Sequence, residues 1–156
     1  MRLLMTATIR PLVVLWLAAN GFLCPGARAE APPLQPESGY AAATARAKRD
    51  GRLVFVMFKQ KDCPHCEKFT AKVLDAPEFR EFARDHLALV IYDLDRSGSL
   101  SKAEQSHYNR LFDALKVKST PTIGVFAPDG DRILRTQGYA GTPASRIVAQ
   151  LRAKLP

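Results

Sequence analysis

The sequence predicts one α/β domain, a mixed four-stranded sheet with helices on both faces. Three observations carry this expectation. Continuous apolar runs at Leu53–Phe58 and Leu87–Tyr92 have the pattern of buried strands, and Thr122–Phe126 reads as a third strand. The stretches between them repeat apolar residues at helical spacing, as amphipathic helices do. A hairpin signal, Asp129-Gly130, separates the third run from a fourth short strand, Ile133–Thr136, which it turns antiparallel. Apolar strands alternating with amphipathic helices need cover on both faces of the sheet.

The 156 residues suffice for one domain. Residues 1–29 are set apart from it. Arg2 and Arg10 flank a short charged start, Leu12–Leu17 is apolar, and Ala27-Arg28-Ala29 is a small-residue cleavage pattern. The apolar core is much shorter than the ~20 residues a spanning helix needs. A signal peptide cleaved after Ala29 is therefore expected, with Cys24 discarded and the mature protein periplasmic. Residues 30–37 are proline-rich and read as a flexible leader, which leaves residues 38–156 for the domain. Within it, Ser38–Arg49 reads as a helix ended by Gly51. Cys66, Phe69 and Val73 recur at helical spacing after the first strand. Pro77 opens another helix through Phe79 and Phe82, because proline suits a first helical position. Tyr108, Leu111, Phe112 and Leu115 mark one face of a helix before the third strand. Ile147, Val148, Leu151 and Leu155 line a last one.

Charge excludes some partners. The formal net charge is +8, and removing Arg2, Arg10 and Arg28 leaves 20 basic against 15 acidic residues. The basic residues are interspersed with acids and form no run, so the surface reads as solvated and mixed rather than built for nucleic acid. The mature chain keeps two cysteines, Cys63 and Cys66. Three positions apart, they close too small a loop to staple a fold. Their purpose is reactivity or metal.

Cys63-Pro64-His65-Cys66 follows a buried strand and starts a helix, which is the redox arrangement. The nucleophile in disulfide exchange is a thiolate, and a helix start offers unpaired N–H groups and the positive end of the dipole. Cys63 can then attack a substrate disulfide, and Cys66, deeper in the helix, can resolve the mixed disulfide. A zinc ribbon would need a second cysteine pair or histidines at ligand spacing. A c-type haem site would need histidine where Glu67 stands. A two-thiolate copper carrier remains open on spacing alone.

Together with Thr120-Pro121 before the third strand and Gly138-Tyr139 after the fourth, this segment resembles the thioredoxin superfamily. The chain looks most like SoxW-type thioredoxin-related proteins and the C-terminal thioredoxin domain of DsbD-type electron carriers, with which it shares the stretch Val73-Leu74-Asp75-Ala76-Pro77-Glu78-Phe79. The resemblance implies a thioredoxin-like fold, a cis Pro121 against the two sulfurs, and substrate backbone paired beside Thr120 and Pro121. It implies no cofactor beyond the redox disulfide. Asp62 stands where thioredoxins resemble one another in a tryptophan, and Met57 where they have a buried aspartate that handles the resolving cysteine's proton. Pro64 and His65 tune the couple: they form the dipeptide of DsbA-type oxidases, and a histidine there can stabilise the Cys63 thiolate, which raises the reduction potential. Asp62 opposes this, and Lys59 and Lys61 support it.

A second constellation lies downstream. Asp93, Asp95, Ser97, Ser99, Ser101 and Glu104, with Gly98 among them, fit the spacing of a calcium-binding EF-hand loop. A strand rather than a helix precedes it, however. Ser101 and Glu104 also read as a capping box for the next helix, and this is the preferred reading. His86 and His107 have no partner at ligand spacing.

The functional expectation is dithiol–disulfide exchange with protein substrates outside the cytoplasm, in the direction of a reductase or thiol-maintenance protein. A membrane electron carrier of DsbD type is a candidate partner. A DsbA-like disulfide donor is the first alternative. No dimerisation segment is visible, so the protein is expected to act as a monomer.

Overall fold

A computed structural model describes residues 32–155. The expected signal peptide lies outside the described residues. Helix α1 (Tyr40–Asp50) leads into β1 (Leu53–Lys59). Helix α2 (Pro64–Phe69) widens into a π turn (Thr70–Leu74), and α3 (Pro77–His86) follows. Strand β2 (Leu87–Asp93) runs into a 3-10 turn (Leu94–Ser99) and α4 (Lys102–Ala114). The chain ends with β3 (Thr122–Phe126), β4 (Arg132–Gln137) and α5 (Ala144–Arg152).

The sheet order is β2-β1-β3-β4. β1 and β2 are parallel, and β1–β3 and β3–β4 are antiparallel. Side chains alternate across a strand, so each strand supplies both faces. Leu53, Phe55 and Met57 enter the core shared with α2, α3 and α5, where Phe69, Phe79 and Leu151 pack. Val54, Val56 and Phe58 enter the opposite core, against Ala43 and Ala47 of α1 and Tyr108 and Leu111 of α4. On that side the chain packs closely at Gly124, where a Cβ would lie 2.7 Å from both Leu115 methyl carbons and would force Leu115 to shift.

Four details depart from expectation. The helix after Cys63 is not continuous, because the Asp75 N–H reaches back to the Thr70 carbonyl at 2.9 Å and opens the π turn. The hairpin between β3 and β4 is wider than a two-residue turn, with Ala127 N–H bonded to the Asp131 carbonyl and Gly130 at φ 105°. Helix α5 stops at Arg152, short of Leu155. Residues 32–37 are not a free leader. Leu34 packs on the core, the Glu37 N–H donates to the Leu89 carbonyl on the outer edge of β2 at 2.7 Å, and the Glu37 carboxylate pairs with Arg46. At the opposite edge, Arg132, Arg135 and Gln137 of β4 donate to the carbonyls of Ala114, Leu115 and Lys116, which close the end of α4.

Candidate active site

Strand β1 is buried from Leu53 to Phe58 and delivers the chain to the surface at Lys59. Asp62 turns it with φ 51°, a left-handed conformation that aspartate tolerates better than most residues. Cys63 is the N-cap of α2, with Pro64 in the first helical position. Its carbonyl accepts from Cys66 N–H at 2.9 Å and Glu67 N–H at 3.0 Å, so the first turn forms around it. Cys63 and Cys66 are joined as a disulfide with their Cα atoms 5.2 Å apart. Both residues are buried, at 6% and 4% exposure, so the side-chain environment rather than accessibility distinguishes them.

Two donors converge on Cys63 Sγ. The Cys66 N–H lies 3.1 Å away, and the Thr120 hydroxyl 3.3 Å away. Thr120 arrives from the other side of the sheet connection, at the entrance to β3. The Thr120–Pro121 peptide is cis. The Pro121 carbonyl accepts from Gly138 N–H at 2.8 Å, which ties the loop after β4 to the site. In that loop Tyr139 lays its ring edge-on to Phe69 at 5.3 Å and bonds the Thr142 carbonyl at 3.0 Å. His65 stands exposed at the rim, and Met57 is fully buried in the same core as the two cysteines.

The oxygen donors of the alternative calcium reading do not converge among the described residues. Asp93 faces Lys59 at 3.8 Å and accepts from Asp95 N–H at 3.1 Å. Asp95 accepts from Lys61 N–H at 2.5 Å. Ser97 and Ser99 donate to the carbonyls of Leu94 and Arg96. Glu104 turns away from all of them to accept from Tyr40 N–H at 2.7 Å and from the Tyr92 hydroxyl. Among the described residues no three His, Cys, Asp or Glu side chains converge as a metal site. The physical reason is that each carboxylate has a nearer donor, so nothing holds them against their mutual repulsion.

The capping box forms only in half. Ser101 caps α4, accepting from Glu104 N–H at 3.2 Å, but the Glu104 carboxylate caps α1 instead. Gly39 leaves room for it, since a Cβ there would fall 2.4 Å from the Glu104 carboxyl carbon. Sequence reasoning also missed the brace between Asp95 and Lys61. It joins residues 34 positions apart, and no local pattern encodes it.

A family described as thioredoxin-like domain matches residues 40–154. The chain belongs to that family. Among curated relatives, the disulfide bond reductase DsbH of Chlamydia pneumoniae is 26% identical over 123 residues, covering 78% of this chain and 73% of the relative. The structure of a DsbH oxidoreductase superposes with TM-score 0.65 at 23% identity, covering 81% and 87% of the two chains. The oxidised C-terminal domain of DsbD from Neisseria meningitidis gives 0.53 at 18% identity, covering 74% and 91%. At such identities the structural likenesses speak for the fold. With a Cys-x-x-Cys pair in its site, this thioredoxin-like chain is a thiol–disulfide oxidoreductase.

Proposed function

We propose that the protein is an exported reductant that keeps protein thiols reduced, with Cys63 as nucleophile and Cys66 as resolving thiol. The observation that carries the assignment of roles is the pair of donors on Cys63 Sγ, from Cys66 N–H and the Thr120 hydroxyl. Hydrogen bonds to a thiolate stabilise it, and a thiolate at the helix start is the attacking species. In the reaction the Cys63 thiolate attacks one substrate sulfur and the other leaves as a thiolate that takes a proton from water; Cys66 then loses its proton and attacks Cys63 Sγ, which releases the first sulfur and closes the protein disulfide. Thr120 and Pro121 flank the substrate, and Pro64 and His65 tune the couple.

The relative named as a disulfide bond reductase supports the reducing direction. The Ala27-Arg28-Ala29 pattern supports export, and the DsbD-domain likeness supports a membrane carrier of that type as electron source. The Pro64-His65 dipeptide and the donors on Cys63 favour a second reading, a disulfide donor, because both stabilise the dithiol form. The deciding measurement is the potential of the Cys63/Cys66 couple. Thioredoxin lies at about −270 mV and DsbA at about −120 mV. A value nearer the first is expected; a value at the second would establish the donor instead.

A further inference from the structure

Three residues carry the chain from the end of β1 to Cys63. Gln60, Lys61 and Asp62 are all exposed, so no buried side chain anchors this loop. It nevertheless holds Asp62 at φ 51°, a left-handed conformation that an L-residue keeps only where its surroundings impose it. Among the described residues one side chain hydrogen-bonds the main chain of this loop: Asp95 accepts from the Lys61 N–H at 2.5 Å. Asp95 is itself oriented, because its own N–H donates to the Asp93 carboxylate at 3.1 Å, and Asp93 faces Lys59 at 3.8 Å. The turn after β2 therefore grips the redox loop twice. Asp93 holds it where β1 ends, and Asp95 holds it one residue ahead of the left-handed Asp62.

The partners of Cys63 Sγ lie on the other side. The Cys66 N–H is 3.1 Å away and the Thr120 hydroxyl 3.3 Å away. Both donors belong to elements seated in the core, α2 and the entrance to β3. Whether the sulfur meets them depends on the backbone that leads into Cys63. We infer that Asp95 is a positioning residue for the nucleophile: by holding the Lys61 N–H it fixes the turn at Asp62 and keeps Cys63 Sγ between its two donors once the disulfide is opened. The inference rests on Cys63 being the attacking thiol. In the oxidised protein the S–S bond holds Cys63 in any case, so Asp95 matters in the reduced protein, where the thiolate forms. A thiolate that keeps both donors has a lowered pKa, and one that drifts from them loses that stabilisation. The charge of Asp95 acts in the opposite sense, because a nearby carboxylate disfavours a thiolate. Acceptor and charge can therefore be separated by mutation.

The test compares Asp95→Ala, which removes both acceptor and charge, with Asp95→Asn, which removes the charge and keeps an acceptor oxygen. The reduced proteins are read in two ways: hydrogen exchange of the Lys61 amide by NMR, and the pH profile of Cys63 alkylation by iodoacetamide, followed by mass spectrometry. Protected β1 amides in the same spectra report that the fold persists. The charged groups lining the cleft beside the sulfurs are Lys59, Lys61, Asp62, Glu67 and Asp75, with His65 at the rim, and all are common to the three proteins. Asp95→Ala should open the Lys61 amide to exchange and move the alkylation profile up by about one pH unit, which slows labelling at pH 7 about tenfold. Asp95→Asn should keep the amide protected and leave the profile at or slightly below its parental position. Coincident profiles in the two variants would overturn the inference. So would an unmoved profile in Asp95→Ala despite a freed Lys61 amide, since the hold on the loop would then not reach the sulfur. If Cys66 is labelled before Cys63 in the parent, the assignment of the nucleophile fails and the inference falls with it.

Discussion

In the segment Cys63–Cys66 the polar atoms of one turn close on one another, whereas along Asp93–Glu104 they reach outward to other elements. Cys63 receives a hydrogen bond from Cys66 and a covalent bond as well, and Thr120 joins it from a distant part of the chain. Asp93, Asp95 and Glu104 instead engage β1, the redox loop, α1 and β2. The first arrangement is local and carries chemistry. The second is long-range and acts as a brace, fixing the loop that presents Cys63 and the start of α1.

The largest effect should come from breaking the local arrangement. Cys63→Ser should remove insulin-reducing turnover altogether, while Cys66→Ser should accumulate mixed disulfides visible on non-reducing gels. Faster alkylation of Cys66 than of Cys63 in the reduced protein would reverse the two roles.

The brace is tested next. Glu104→Ala strands the Tyr40 N–H and the Tyr92 hydroxyl, and a half-buried donor without a partner costs about 1–3 kcal/mol, readable from the urea midpoint. Curves in millimolar calcium and in chelator should coincide. A calcium-dependent rise that Glu104→Gln removes would return the loop to ion binding.

A smaller effect concerns alkaline pH. Burial pushes the Tyr92 hydroxyl above its ordinary value of 10.0, and the hydrogen bond to Glu104 and its charge add to this. The folded state therefore holds the phenol proton more tightly than the unfolded chain. The associated stability is intact below about pH 10 and declines above it. Tyr92→Phe should flatten that decline in denaturation curves taken from pH 9 to 11; an unchanged slope would detach Tyr92 from the brace. Smallest of all, Ser101→Ala should cost about 1 kcal/mol through loss of the α4 cap, with no change in turnover.

Much of the fold could be read in advance because it rests on local periodicity. Leu53–Phe58 and Leu87–Tyr92 have no polar residue to interrupt them, so their burial on both faces was plain, and Thr122–Phe126 matches its strand end to end. The redox turn was legible because Cys63, Pro64 and Cys66 satisfy the same helix start that the chemistry needs. Glu104 was not, because its spacing from Ser101 fits a capping box while its carboxylate finds a better donor 64 residues away in sequence. The π turn at Thr70–Leu74 and the left-handed Asp62 are backbone choices made by tertiary context, and they leave no periodic trace.

The two free edges of the sheet are guarded by different means. The edge of β2 is covered by the preceding chain through Glu37 and Leu34, while β4 carries arginines folded onto the end of α4. Open strand edges recruit strands from other molecules, and charge or a covering segment prevents this. One guard is a strand of the sheet itself, and the other is a short length of chain that precedes the first helix. A protein trimmed to begin at Ser38 would keep its redox turn and gain an adhesive rim, so its shelf life in concentrated solution should be set by residues that never approach the sulfurs.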